Sequence, residues 1–283
     1  MSTGNSVERW WNGCFVGSGP TGSVCVRDPE RARGLAERGV RVRQGDFADE
    51  GSLAHAFEGA SRVLVVSVDA SGQAAVRLHE TAINAAGKAG AERVVYTSHM
   101  ASNPSSPFAP MVDHAATEVV LRESGLAFTS LRNGFYASTV VMLLAGAVET
   151  GELAAPADGP VSWTSHDDLA EAAALALTED VFAGVTPALT GPAAVDLVDV
   201  AAIASEVTGR PIRRVVVSDD DYRAGLVARG LSEHVADLLL GMFAASRQGA
   251  FARVDPALAG LIGRPTAPLR DVLEVHYRAT RLP

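Results

Sequence analysis

Three places in the chain carry side chains that can do chemistry together. Tyr96-Thr97-Ser98 closes one apolar run, Asn133-Gly134-Phe135-Tyr136 closes another, and His114 stands between them. They offer hydroxyls, one imidazole, one carboxamide and two flat aromatic faces. None of this is hydrolytic or metal equipment. The seven histidines show no H-E-x-x-H spacing, and no G-x-S-x-G elbow occurs. What these residue types can do is hold a planar ring, hydrogen-bond a sugar, and present a donor to a reacting oxygen. Gly134 lets backbone approach closely, and Phe135 and Tyr136 supply faces for a ring. His114 and Tyr136 are the candidates to act at the reacting group.

These runs need elements to position them. RVVYT reads as a buried strand, HAATEVVLRESG as a helix with His114 in its first turn, and FTSLRN as a second strand. A helix start disfavours a charged imidazole, so His114 is expected to be neutral. Upstream the same alternation recurs. Val24–Val26 is a strand; Asp28 caps and Pro29 opens a helix that Gly39 ends. Val40–Arg43 alternates as a strand, Ser52–Phe57 is a short helix, Arg62–Ser67 is a near-continuous apolar strand, and Gln73–Lys88 is helical. Strands and helices in such close alternation imply a doubly wound, Rossmann-like parallel sheet, α/β in class. Ligands of such sheets sit at the carboxyl ends of the strands. Arg27, Asp46 with Phe47, Ser67, Tyr96, Thr97, Ser98 and Asn133 all fall at strand ends and form the expected cofactor-binding set. Arg27, just after a strand, sits where a basic group would meet the 2′-phosphate of NADP, although a solvated surface arginine is the commoner reading of any single one. Asp46 and Phe47 fit an adenine contact or, equally, a helix cap beside a core aromatic.

Gly17-Ser18-Gly19-Pro20-Thr21-Gly22 matches G-x-G-x-x-G, the string that holds a pyrophosphate when a strand precedes it and a helix follows. Here Ser23–Val26 is already strand-like. A crossover between parallel strands needs at least ~10–12 residues, and this space does not hold them. The reading adopted is a glycine-rich irregular tail. After Tyr136 the pattern loosens into a mostly helical region. The expected division is a dinucleotide-binding domain over 1–155, atypical in its first βα unit, and a smaller substrate-covering lobe over 156–283 with some segments returning to the main sheet.

The chain has 283 residues, 47% hydrophobic and 20% charged, with net charge −9. That charge argues against nucleic acid or an anionic membrane surface as a partner. Cys14 and Cys25 are too few for a disulfide framework and fit reduced thiols in the cytoplasm. The N-terminus lacks a basic segment leading into an apolar core, and no apolar run is long enough to span a bilayer.

From about Val24 to Tyr277 the sequence resembles the NmrA-like, atypical short-chain dehydrogenase/reductase family, and within it type 2 NAD(P)H:quinone oxidoreductases, with triphenylmethane reductases as near relatives. The pieces that carry the resemblance are VRDPERARGLAERGVRVRQGDFAD, RVLVVS, RVVYTS, HAATEVVLRESGLAFTSLRNGFY and LIGRPTAPLRDVL. Tyr96-Thr97-Ser98 is similar to the serine region of short-chain dehydrogenases, but their Tyr-x-x-x-Lys is missing, so no tyrosine-to-lysine proton relay is expected. The resemblance implies NADP(H) as cofactor, Arg27 near its 2′-phosphate, and Ser67, Thr97 and Ser98 along it. It places His114 at the nicotinamide ribose, where many relatives carry a lysine, and Asn133 to Tyr136 beside the nicotinamide and the acceptor. The implied reaction is hydride transfer to a quinone or similar planar electron acceptor, with a homodimer as one possible assembly. The rival readings are a non-catalytic NAD(P)-binding redox-sensing regulator and a degraded member that no longer binds cofactor. The family opens with a strand, a G-x-x-G-x-x-G loop and a helix, and this chain lacks both that spacing and room for the helix. Either Gly13–Val16 supplies a short substitute strand, or the N-terminal region reflects a disrupted or misread gene start and the central slot of the sheet stays open.

Overall fold

The structure, a computed structural model, describes residues 13–17 and 22–280. Nine strands are present among them: β1 (Gly13–Gly17), β2 (Ser23–Val26), β3 (Arg41–Gln44), β4 (Arg62–Val65), β5 (Arg93–His99), β6 (Ala127–Asn133), β7 (Glu152–Ala155), β8 (Gly184–Leu189) and β9 (Arg213–Val216). Seven form one sheet in the order β3-β2-β1-β4-β5-β6-β8. β2 pairs with β3 and β4 with β5 in parallel. The fold is Rossmann-like, as the alternation of strands and helices implies.

The central slot is filled, and in an unusual direction. β1 runs antiparallel to both neighbours: Gly13 faces Val26, Cys14 faces Val65, and Gly17 faces Arg62. A parallel entry would need a crossover of a dozen residues; an antiparallel one needs only a short turn. The substitute strand therefore satisfies the facing edges of β2 and β4, whose orphaned groups would otherwise cost ~1–3 kcal/mol each if buried. It does so by reversing at the amino-terminal edge, where Gly17 meets the first residue of β4 and Val16 the first of β2. Ser18 to Thr21, the middle of the glycine string, lie outside the described residues.

Local chemistry explains the flanking elements. Asp28 accepts from the Glu30 amide at 3.1 Å and caps the short helical segment that Pro29 opens. Asp49 caps Glu50–Ala56 through the Gly51 and Ser52 amides. Gly72–Lys88 buries Ala75, Val76, His79, Ala82, Ile83 and Ala86, an i, i+3, i+4 stripe in which His79 is the lone polar member. The helix before β6 spans Ala109–Glu123, five residues earlier than its sequence suggests. Pro110 falls in the first turn, where its missing N–H is no loss. This corrects the expected position of His114, which is in the second turn and not at the helix start.

The chain divides into two compact units. The first holds residues up to Pro104, Pro110–Arg132 and Ala170–Pro187; the second holds Ser105–Ala109, Asn133–Leu169 and the remainder from Ala188. The division falls at the end of β6, earlier than the boundary near residue 155 that the sequence suggests. The later stretch 170–187 joins the first unit because its backbone caps that unit's arginines. Arg62 donates to the Glu179 carbonyl at 3.0 Å, and Thr129 donates to the Phe182 carbonyl at 2.7 Å.

The second unit is built by itself on a parallel β7–β9 pair and several helices. Its core holds Phe135 against Phe108, Trp163 and Phe251, with ring centroids 4.8–6.0 Å apart. Among the described residues no helix is long and apolar enough to cross a membrane, and no group of side chains could hold a metal ion.

Candidate functional site

At the carboxyl ends of β2, β3 and β4 a cavity of about 210 Å³ opens in the first unit, walled by Arg27, Asp46, Phe47, Val66, Val68 and Leu78. Arg27 is an exposed rim residue, held by its carbonyl, which accepts from Gln44 Nε2 at 3.2 Å. Asp46 is half-buried and accepts from the Ala48 amide at 2.9 Å, an Asx turn that shapes the loop. Phe47 is the core aromatic foreseen for it, 9% exposed, and it also forms a wall of the cavity. Gly45 floors the opening because a Cβ there would overlap Cys25 Sγ. That close approach, and not the glycine string, is what glycine does at this edge of the sheet.

Further along the sheet edge the Ser67 amide donates to Thr97 Oγ1 at 2.8 Å, which ties the ends of β4 and β5 together. Tyr96 is fully buried, and its hydroxyl lies 2.8 Å from His114 Nδ1 and 3.5 Å from His79 Nδ1. His79 Nε2 accepts from the Val68 amide at 3.0 Å. His99 stacks beside His114 with centroids 6.2 Å apart. Burial pushes the His79 pKa down to about 3, helped by the neighbouring His114. It pushes His114 down to about 4, with Glu118 pulling weakly the other way. The expectation of a neutral His114 therefore holds, but the cause is desolvation rather than a helix terminus.

Ser98 does not face the cofactor edge. Its hydroxyl donates to Glu118 Oε1 at 2.8 Å, inside a buried node where Glu118 also takes two bonds from Arg132, at 3.1 and 2.8 Å, and one from Ser130 at 3.3 Å. Burial alone would raise the Glu118 pKa; the Arg132, Ser98 and Ser130 donors and the arginine charge outweigh it and hold the carboxyl below the usual glutamate range. Tyr96 and Ser98, expected along the cofactor, are thus interior groups that position others. The sequence reading passed over Glu118 and His79. His79 was findable as the lone polar member of a buried helical face, whereas Glu118 shares its buried face with Asp113 and Thr117.

In the second unit the Asn133–Tyr136 run is clamped by backbone. Gly134 donates to the Leu189 carbonyl at 2.7 Å, Thr164 to the Phe135 carbonyl at 2.8 Å, and Ala137 to the Thr164 carbonyl at 2.9 Å. A Cβ on Gly134 would strike Thr164 and Leu189, so no other residue fits. Asn133 is 4% exposed, and its Oδ1 has no hydrogen-bond partner. Burial raises the Tyr136 pKa, and a bond with Asn133 opposes this. His166 packs on the Tyr136 ring with centroids 4.3 Å apart, an aromatic neighbour not foreseen from the sequence. A buried carbonyl oxygen without a donor is costly unless a ligand supplies one.

The sequence matches the NmrA-like family over residues 16–260. Quinone oxidoreductase 2 of Escherichia coli K12 is 33% identical over 247 residues, which is 87% of this chain and 86% of that one. The NAD(P)H azoreductase of Xenophilus azovorans is 29% identical over 255 residues, 90% of this chain and 88% of that one. Among solved structures, the E. coli NADPH-dependent quinone oxidoreductase complexed with NADPH superposes with a TM-score of 0.84 at 31% identity, covering 89% of each chain. The Citrobacter triphenylmethane reductase complexed with NADP(H) superposes at 0.78 with 30% identity, over 89% and 88% of the two chains. With the doubly wound sheet, the polar strand ends and a family match across most of its length, this chain belongs to the NmrA-like family.

Proposed function

We propose that this chain is an NADPH-dependent oxidoreductase that reduces a quinone or similar planar electron acceptor. The observation that carries the proposal is the cavity at the carboxyl ends of β2, β3 and β4 with Arg27 on its rim. At about 210 Å³ it is smaller than the ~300–1,000 Å³ of sites that enclose a whole drug-sized ligand. It suits an adenosine-sized group, with the guanidinium positioned for a 2′-phosphate.

In the first unit Arg27 would meet the 2′-phosphate of such a cofactor and Asp46 with Phe47 its adenine. In the second unit, taken by itself, the buried Asn133 Oδ1 without a partner would accept an N–H from a bound ligand. β1 pairs antiparallel with β2, and the five residues between them are too few for a crossover helix that could meet the diphosphate. Bound NADPH supplies the hydride. The protein's own work would be to bind, to orient and to offer neutral donors: Thr97 braces the strand ends, and His114 would present an uncharged ring to the reactants. Tyr136, packed against His166 with the rings tilted by 40°, would offer a flat face to a planar acceptor. The relatives whose names specify quinones, azo compounds or triphenylmethanes set the class of acceptor proposed. Mixing the protein with NADPH and a benzoquinone and following the reduced-nicotinamide absorbance tests the reading; no consumption refutes it.

A further inference from the structure

The rings at the end of β5 form a hydrogen-bond chain whose direction is set by a group that cannot reverse. The Val68 peptide N–H donates to His79 Nε2 at 3.0 Å. A peptide nitrogen only donates, so Nε2 is the bare nitrogen of a neutral ring and the His79 proton is on Nδ1. Nδ1 lies 3.0 Å from Thr117 Oγ1, and the Thr117 hydroxyl proton is already directed to the Asp113 carbonyl at 2.9 Å. Thr117 therefore accepts from His79. The same Nδ1–H faces the Tyr96 oxygen at 3.5 Å. With a donor on that side, Tyr96 turns its own proton the other way, onto His114 Nδ1 at 2.8 Å. His114 Nδ1 then accepts, and the neutral ring carries its proton on Nε2.

We propose that Tyr96 is a positioning residue that fixes His114 as an Nε2–H hydrogen-bond donor, with the Val68 peptide group setting the direction of the chain. The chain ends on a peptide N–H, which yields no proton, so it orients His114 and does not resupply it. Of the four groups around His114, namely Tyr96 and His99 on β5, His79 on the helix Gly72–Lys88, and Glu118 one turn further along its own helix, Tyr96 is the one at hydrogen-bond distance from a ring nitrogen and so selects the tautomer. Only the use made of the donor rests on the proposed function: a neutral N–H offered to the oxygen that gains charge in the acceptor, or to the cofactor ribose.

Nitrogen NMR of histidine-labelled protein reads the tautomer directly, with His114→Gln assigning the signal. The expected spectrum has His114 bare on Nδ1 and protonated on Nε2, and Tyr96→Phe turns it into a mixture of tautomers. A wild-type His114 protonated on Nδ1, or an unchanged tautomer in Tyr96→Phe, overturns the proposal. The wild-type spectrum decides the direction of the chain whether or not the variant folds. In turnover, Tyr96→Phe lowers kcat about tenfold, while NADPH Kd by calorimetry stays within about twofold. Equal losses in both mark a merely structural tyrosine and overturn the positioning role. A wild type that consumes no NADPH refutes the functional reading and leaves the tautomer to be judged by its spectrum alone.

Discussion

At the β1–β2 corner, β1 ends and β2 begins at the amino-terminal edge of the sheet, the two strands paired antiparallel. Between β5 and β6, residues 100–126 carry a loop and a 15-residue helix over the sheet. The first solution fills a slot in the sheet and places nothing at the carboxyl edge by way of a crossover. The second delivers His114, Thr117 and Glu118 to the ends of two strands, each with partners already in place. Two ways of continuing from a central strand thus differ in what they give the site. A hairpin completes the ladder; a crossover helix also supplies functional groups. Among the described residues the polar apparatus is concentrated on the β5–β6 side.

The largest expected effect lies in the node beneath the β5–β6 side. Glu118→Ala leaves Arg132 and two further donors, Ser98 and Ser130, without their acceptor and costs about 3 kcal/mol or more, as loss of one partner of a buried ion pair does. Urea unfolding measures it, and a loss under about 1 kcal/mol would mean that the node contributes little. On the other side of the comparison, Arg27→Ala weakens NADPH roughly tenfold, the worth of one charge-assisted hydrogen bond, and leaves NADH nearly unchanged. Equal losses for both cofactors would remove the 2′-phosphate from Arg27.

Stability should also report the buried rings. His79 and His114 have pKa values of about 3 and 4 in the fold against 6.5 when exposed. The unfolded chain therefore binds more protons between those limits, and stability is lost as pH falls from about 6.5 toward 4. Scanning calorimetry across that range should show Tm falling steadily; a flat Tm would place these rings in water. The smallest effect is expected at the hairpin. Gly22→Ala should leave NADPH affinity within about twofold, because β1 turns into β2 at the edge opposite the cavity. A large loss would put the glycine string back at the phosphates and break the contrast between the two sides.

Much of this was legible in the sequence, and what escaped has physical reasons. Alternation and glycine punctuation located β2 through β6 and the helices between them, because one buried face imposes its period on the residues. Arg27, Asp46 and Phe47 were found by position at strand ends, and all three line the cavity. Tyr96 and Ser98 shared that logic, but neither faces the cavity. A strand end alternates its side chains between faces, and position alone does not tell which face a given residue takes. His114 lies a turn further into its helix than its sequence suggests because the helix begins at Ala109, with Pro110 in its first turn. β7 was missed because its partner β9 is far away in sequence. The direction of β1 was out of reach, since a short apolar run says nothing of which way it will pair.

The account stands on cofactor binding by a sheet whose first strand runs backwards. Calorimetric titration of the protein with NADPH tests this most directly. Saturable heat at one NADPH per chain, weakened by Arg27→Ala and matched by consumption of NADPH when a benzoquinone is added, is the predicted result. A titration with no heat above dilution at any accessible concentration would contradict it.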